Sequence, residues 1–527
     1  MTQTITPSEL STHNTVASLW LAIDGDVYDL TEFAPTHPGG LSVLLQHAGK
    51  DATAAYNAVH SLSLIKSMLP ISKHLGRLSS PAPVSSSPSL PTSLKPPLSS
   101  LISVNDFRRA AHTFLPAKTL AFISSAATDC HTHRRNSTTY SDITLRPRVM
   151  VDVSAPVSLS TTILGQPVAS PIFIAPTSLG KTVHPAGEME IARACKDLGG
   201  IAQVVSTSAS FSVADVVRAA AEHPGPFGED GSNPPVFLQL YVDKHAPNTE
   251  ALLKSLTDPD GNGTNKSLIK GVFLTVDAPV PGKREADERV PPPAGPVSSA
   301  APTTPTSSPT PNPPSSTVTT PMATQLSPSS DTKGSALGRL MASYISPSLT
   351  FRTTLPWMRS LLARGSAGVP IVVKGIQTAA DALLALRHGA DAIVVSNHGG
   401  RSLDTSPATV LVLLELQRCC PEVFERMEVY VDGGIRRGTD VFKALCLGAR
   451  GVGVGRGVLY GLGYGREGVK RVMEILNDEL VTTMKMCGVT RLDELHPGLL
   501  NTRAVDHLVP DSVGEEHPYA KWRRSKL

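Results

Sequence analysis

A chain of 527 residues is longer than one ordinary domain and has room for two or three, each able to bury a core. Its 48 Lys and Arg against 45 Asp and Glu leave a net charge of +3, which offers nucleic acid no basic field, and no apolar run reaches the ~18 residues of a membrane span. Cys130, Cys195, Cys419, Cys420, Cys446 and Cys487 form no Cys-x-x-Cys pair and no regular framework, so they read as free thiols in a reducing compartment.

The first fifteen residues carry no Lys or Arg and no apolar core, which argues against a secretory signal or a mitochondrial presequence. Residues 1–78 then read as a small α+β unit. Trp20-Leu21-Ala22-Ile23, a turn at Asp24-Gly25-Asp26 and Val27-Tyr28-Asp29-Leu30 give a hairpin signal. Thr36-His37-Pro38-Gly39-Gly40 follows, then a helical stretch from Leu41 to His47, then Gly49-Lys50-Asp51-Ala52-Thr53 and Val59-His60-Ser61. Two loop histidines, each flanked by apolar helices, suit opposite axial positions on a buried haem iron, since neutral imidazole binds iron well and Leu and Val exclude water. The order of these segments resembles the cytochrome b5 haem domain, a likeness that implies haem b with His37 and His60 as its axial ligands.

Residues 79–100 are rich in Ser and Pro with almost no charge and predict a mobile linker. From 101 to 510 a short apolar strand followed by an amphipathic helix recurs eight times. The predicted strands are Pro171–Ala175, Ile201–Val205, Val236–Tyr241, Gly271–Val276, Ile371–Lys374, Asp391–Ser396, Glu428–Asp432 and Arg450–Val454, with helices such as Thr378–His388 and Arg437–Leu447 between them. Apolar runs like Ile393-Val394-Val395 suit parallel strands buried on both faces, and eight of them predict an α/β (β/α)8 TIM barrel with its site at the C-terminal strand ends. Glu222–Pro235 and Thr257–Lys266 read as surface loops, and the Pro/Ser/Thr tract 291–332 as a disordered insertion on the active-site side. Residues 511–527 form a tail ending in Ser525-Lys526-Leu527, which reads as an address for the peroxisomal import receptor, with the cytoplasm as the alternative.

Polar residues gather at the eight predicted strand ends: Pro176-Thr177, Ser206, Gln239 with Tyr241, Thr275 with Asp277, Lys374, Ser396 with His398 and Arg401, Asp432-Gly433-Gly434 with Arg436, and Gly455-Arg456. Any one of them could be a cap or turn residue; eight at one mouth point to a site. The last two strands end in glycine turns that each close on arginine, which suits a phosphomonoester. The run Ser396-Asn397-His398-Gly399-Gly400-Arg401 puts an imidazole and a guanidinium at one strand end, as a base and an anion clamp would require.

Thr275-Val276-Asp277-Ala278-Pro279, Arg284-Glu285, Lys374-Gly375, the His398 run, Asp432-Gly433-Gly434-Ile435-Arg436 and Gly455-Arg456 resemble the FMN-dependent L-2-hydroxy acid oxidase/dehydrogenase family. With the haem domain in front, the chain resembles the flavocytochrome b2 family. The resemblance implies His398 as the base and Asp277 as the stabiliser of its imidazolium, Arg401 (bidentately) and Arg284 as carboxylate clamps, and Tyr241 as the donor to the substrate oxygen. It implies Lys374 beside the flavin N1/C2 carbonyl, where it would stabilise the reduced ring. Pro176, Thr177, Ser206, Gln239, Thr275, Ser396, Asp432 and Gly433 would hold FMN, and Gly434, Arg436, Gly455 and Arg456 its phosphate. The activity implied is oxidation of a small L-2-hydroxy acid, with electrons passing from FMN through haem to a one-electron acceptor such as a cytochrome c. The alternatives are a peroxisomal oxidase reducing O2 and a haem- or flavin-binding protein without turnover, and the resemblance further implies a homotetramer.

Two pocket positions depart from that family. Phe122 stands where the family has a tyrosine that helps hold the substrate carboxylate, a loss expected to weaken binding by about 1–2 kcal/mol. Ser208 stands where a large apolar residue is usual, and the two changes together predict a bulkier or less carboxylate-dependent substrate than lactate.

Overall fold

The computed structural model describes residues 4–37, 40–57, 59–79, 95–225, 233–258, 267–290, 344–363 and 368–513. Most of the predicted linker, the 291–332 tract, Pro38-Gly39 and the terminal Ser525-Lys526-Leu527 lie outside these residues.

The N-terminal domain is built on a sheet of five strands in the order Thr4–Ile5, His74–Leu78, Asp26–Asp29, Ser18–Ile23 and Asn14–Thr15. Asp24 and Gly25 both take positive φ, 55° and 80°, the turn whose twist matches that of the two strands it joins. One face of the hairpin buries Leu19, Leu21, Ile23 and Tyr28 against Leu44 and Ile65, so the helices Leu41–His47, Thr53–Asn57 and Leu62–Met68 cover that face. His37 lies in the loop before the first of these helices and His60 in the loop between the second and the third.

The barrel strands are β1 Ile172–Ile174, β2 Gln203–Ser206, β3 Val236–Leu240, β4 Val272–Thr275, β5 Ile371–Ile376, β6 Ala392–Val395, β7 Glu428–Asp432 and β8 Gly451–Val454. All neighbours run parallel, and β8 closes on β1 through Val452 opposite Ile172 and Val454 opposite Ile174. The predicted strands are therefore the observed ones, offset by a residue or two at their ends. The predicted helices are observed as Ala379–Arg387 and Gly438–Cys446, shorter because Thr378 and Arg437 serve as half-helical caps.

Inside the barrel, Phe173, Phe237, Phe273 and Tyr430 touch in a ring network with neighbouring centroids 5.5–6.2 Å apart. Burial of each such ring contributes on the order of 2–3 kcal/mol and fills the interior, which leaves the mouth where the strands finish as the place for a site. Outward residues such as Ile172, Val205, Leu238 and Val395 pack on the surrounding helices.

Three helices ahead of β1, Val104–Phe114, Ala117–Ser124 and His131–Asp142, lie across the mouth and were not foreseen from the strand pattern. Their position is pinned by the Lys118 ammonium, which pairs with the fully buried Asp287 carboxylate at 2.8 Å and donates to the Asp287 and Val290 carbonyls. Removing one member of a buried pair leaves a bare charge. Lys118→Met is therefore expected to destabilise the barrel by roughly 3 kcal/mol, seen as a lower melting midpoint, and combining it with Asp287→Leu should recover most of the loss.

Candidate functional site

A cavity of about 240 Å³ opens at the strand ends. Pro176, Thr177, Ser206, Ser208, Gln239, Tyr241, Thr275, Arg284, Lys374, His398 and Arg401 line it, as do Asp432, Gly433, Gly434, Arg436, Gly455, Arg456 and Phe122. Of the residues proposed from sequence for this site, Asp277 and Ser396 do not line it but back residues that do. Ser396 Oγ lies between Lys374 Nζ (3.0 Å) and Asp432 Oδ1 (2.6 Å), and it also accepts from the His398 N–H. Its hydroxyl thus supports Lys374 and Asp432 from behind the lining.

His398 sits on strained backbone. Its φ is 58°, an uncommon value for a residue with a Cβ, and Gly399 and Gly400 continue the left-handed run at 63° and 75°. Asn397 holds the turn by accepting from the Gly400 N–H, and it exchanges two 2.8 Å hydrogen bonds with Asn136 of the helix lying over the mouth. The imidazole is held at both nitrogens. Nδ1 meets the Asp277 carboxylate at 2.9 Å, and Nε2 faces the Tyr241 hydroxyl at 3.3 Å. With Nδ1–H donated to the carboxylate, Nε2 keeps its lone pair toward the cavity. Burial alone would raise the Asp277 pKa, but the charges of His398 and Lys374 outweigh it and hold the carboxyl below its usual range. Gly375, at φ 114°, permits this approach, because a Cβ there would lie 2.6 Å from that of Asp277. Burial pushes the Tyr241 phenol well up, so it stays a donor.

Burial would likewise lower the Lys374 pKa, but Asp432 and Asp277 reverse the shift and keep its ammonium charged. No comparable set of carboxylates serves the guanidiniums. Burial lowers the pKa of Arg284, Arg401 and Arg456, and mutual repulsion adds to this at Arg401 and Arg456. Arg401 directs Nη1 at the carbonyls of Phe122, Ile123 and Ser125, at 2.9, 3.2 and 3.4 Å, which leaves Nε and Nη2 for a carboxylate. The Phe122 ring lies within 5.5 Å of the Arg284 guanidinium and 5.3 Å of that of Arg401, supplying a π face where the tyrosine hydroxyl is missing.

The Arg456 guanidinium, expected on a phosphate, lines the cavity and is also held by the carbonyls of Ile123, Ser125 and Gly399 and by His133 Nδ1. Arg436, Arg108 and the turn Gly433-Gly434 remain at that end. Gly434 has φ 86°, and a Cβ on it would lie 2.1 Å from the Asn136 carbonyl oxygen, so backbone there can curl round an anion only as glycine. Along the opposite wall, Ser206 Oγ donates to Gln239 Oε1 (2.8 Å) and Gln239 Nε2 to Thr275 Oγ1 (3.1 Å). A row of alternating donors and acceptors between a lysine and a phosphate-sized cationic end fits FMN.

In the N-terminal domain the His37 and His60 rings face each other with centroids 6.3 Å apart. Two imidazole–metal bonds of about 2 Å plus half a ring on each side span roughly that distance, so the pair fits an iron between them. His37 Nδ1 is engaged with the Gly40 carbonyl at 3.3 Å, which leaves Nε2 for the metal. Burial lowers the His37 pKa, and burial with the charges of His37 and Lys181 brings His60 down to about 4, so both are neutral ligands near pH 7. The His60 loop rests on the barrel: Lys181 Nζ donates to the His60 carbonyl at 2.6 Å and Ser61 N–H to the Ser210 carbonyl at 3.1 Å.

Residues 111–502 match the family described as FMN-dependent dehydrogenase, and residues 6–79 the cytochrome b5-like heme/steroid binding domain. The chain belongs to the FMN-dependent dehydrogenase family. Its barrel binds FMN and its N-terminal domain binds haem, the flavocytochrome b2-like arrangement expected from the sequence. It is 35% identical over 520 residues to an L-lactate dehydrogenase (cytochrome) of Wickerhamomyces anomalus, covering 95% of this chain and 80% of the relative. A peroxisomal (S)-2-hydroxy-acid oxidase of Oryza sativa subsp. japonica is 38% identical over 398 residues, covering 75% of this chain and 94% of the oxidase. A solved flavocytochrome b2 variant with sulfite bound aligns with a TM-score of 0.62 at 33% identity, over 82% of this chain and 94% of its own.

Within this FMN-dependent dehydrogenase, sequence reasoning missed Asn136, His133 and Arg108, which reach the site from helices ahead of the barrel, and Tyr344 and Ile345, which return to it after the 291–343 segment. An arginine on a helix that precedes the first barrel strand by more than fifty residues carries no local mark of its destination. The glycine turn supplies a direct check. Gly434→Ala, which cannot be accommodated against the Asn136 backbone, should give protein whose ratio of flavin to haem absorbance falls far below that of the parent.

Proposed function

We propose that this protein oxidises an L-2-hydroxy acid of the lactate type to the 2-oxo acid and delivers the electrons singly, through haem, to a cytochrome-type acceptor. The observation that carries this reading is the His398–Asp277 pair beside two buried guanidiniums, in a chain whose bis-histidine haem pocket is seated on the same barrel. The activity for which the relatives are named, L-lactate dehydrogenase (cytochrome), supports it.

Arg284 and the free Nε and Nη2 of Arg401 hold the substrate carboxylate, an arrangement that offsets the cost of burying both guanidiniums. The Tyr241 hydroxyl donates to the substrate oxygen. His398 Nε2 takes the substrate proton, and the anionic Asp277 on Nδ1 stabilises the imidazolium that results. Bound FMN supplies the two-electron oxidant, and haem the one-electron outlet. Lys374 is held as a fixed positive charge by Asp432 and Ser396, available wherever negative charge develops on the ring.

Asp277→Asn would leave His398 without its counter-charge, and the anaerobic rate of flavin bleaching by L-lactate is expected to fall at least about a hundredfold. His60→Ala should leave that bleaching in place and abolish cytochrome c reduction. Cytochrome c reduction surviving in this variant would take the haem out of the route, and hydrogen peroxide formed one-for-one with substrate would make oxygen the acceptor.

A further inference from the structure

The wall of the cavity at Ser208 differs chemically from its surroundings. Ser208 lines the cavity beside Tyr241, with the apolar Phe122 and Ile345 as further walls. Its Oγ lies 3.3 Å from the Tyr344 hydroxyl. Tyr344 comes from a remote stretch that is held firmly in place. Residues 344–346 lie antiparallel to the chain just after β3, with Lys244 N–H donating to the Tyr344 carbonyl and Ser346 N–H to the Val242 carbonyl, both at 2.8 Å, and Ile345 bridged to Asp243. The serine is fixed as well: its N–H donates to Ser206 Oγ and its carbonyl accepts from the Leu179 N–H. The Ser208 hydroxyl therefore has a phenol directly beside it, and the cavity wall is polar at this position.

Two hydroxyls carry two hydrogens. The Tyr344 phenol also bonds the Thr207 side chain, so with that third hydroxyl there are three hydrogens; the two mutual bonds use two, and one hydrogen and the spare lone pairs remain for a further partner. Burial raises the Tyr344 pKa, so the phenol is protonated across the working range. An all-carbon substituent packed on this wall would leave a donor unpaired and out of water, whereas an oxygen on the substituent would satisfy it.

We propose that Ser208 and Tyr344 together select L-2-hydroxy acids that carry a hydroxyl on C3, that is, 2,3-dihydroxy acids, over their aliphatic isosteres. This rests on the 2-hydroxy acid reading above and names the substrate class within it. A site built to pair with a hydroxyl rejects the analogue lacking it far more strongly than an apolar site separates molecules differing by a methylene.

L-Glycerate and L-2-hydroxybutanoate differ only in a hydroxyl against a methyl and form the probe pair. With the full-length holoprotein, stopped-flow flavin reduction gives kcat/KM for each acid, and perturbation of the flavin spectrum gives Kd for hydroxypyruvate and 2-oxobutanoate without turnover. The parent should favour the hydroxylated member of both pairs by at least about tenfold. Tyr344→Phe, which removes one oxygen, should bring both ratios to within about threefold of parity, and Ser208→Leu should reverse them. Parity or an aliphatic preference in the parent, or a preference that survives Tyr344→Phe, would overturn the inference while leaving the general activity standing. Flavin that neither acid bleaches would instead overturn the 2-hydroxy acid reading itself.

Discussion

Four cations, the buried Arg284 and Lys374 and the half-buried Arg401 and Arg456, gather round one mouth, and Lys374 has two carboxylates, Asp277 and Asp432, that outweigh its burial. Taking such charges out of water costs several kcal/mol each unless hydrogen bonds and counter-charges offset it. Backbone carbonyls of Phe122, Ile123, Ser125 and Gly399 do part of this, which is why the helix Ala117–Ser124 must end where it does, with its last carbonyls turned into the site. The remainder falls to ligands. A carboxylate between Arg284 and Arg401 and a phosphate near Arg436 complete a charge balance that the protein alone leaves positive, so substrate and cofactor affinity are two aspects of one field.

Much of this could be read from the residues in order. The eight strands were legible because each is a run of apolar residues buried on both faces that stops at a polar residue or a glycine, and the haem domain because its two histidines lie in a dense local motif. The lining of the site was legible for the same reason, as Gln239, Thr275, Lys374 and Asp432 each lie at, or within two residues of, a strand's C-terminal end. What stayed hidden was the layering. Asp277 and Ser396 look like lining residues in the sequence, yet they stand behind His398 and Lys374, because side-chain direction at a strand end depends on where the next loop turns. That Arg456 is also held by the carbonyls of Ile123 and Ser125, over three hundred positions away in sequence, has no local signal. Tyr344 had no signal at all, since its position depends on an antiparallel return that no local pattern encodes.

The seat of the haem domain is tied to the flavin mouth through a single buried carboxylate. Glu188 Oε1 accepts from the Gly180 and Ser210 N–H groups, at 2.8 and 3.1 Å, and so fixes the two barrel loops on which His60 and Ser61 rest. Those loops are continuous with Pro176-Thr177 and with Ser206 and Ser208. One carboxylate thus sets the geometry of both the domain contact and the cavity wall, and neither loop can shift without the other.

The reciprocal amide pair of Asn136 and Asn397 has a consequence for how far the molecule can be taken apart. It is the clasp through which a helix preceding the barrel holds the left-handed turn of His398. A piece beginning at the first strand would contain every polar strand end yet would lack that clasp, the carbonyls that orient Arg401 and the ring of Phe122. Fold and site therefore have different boundaries: eight strands suffice to close a barrel, but the indivisible unit of chemistry begins well upstream, at the helix Val104–Phe114.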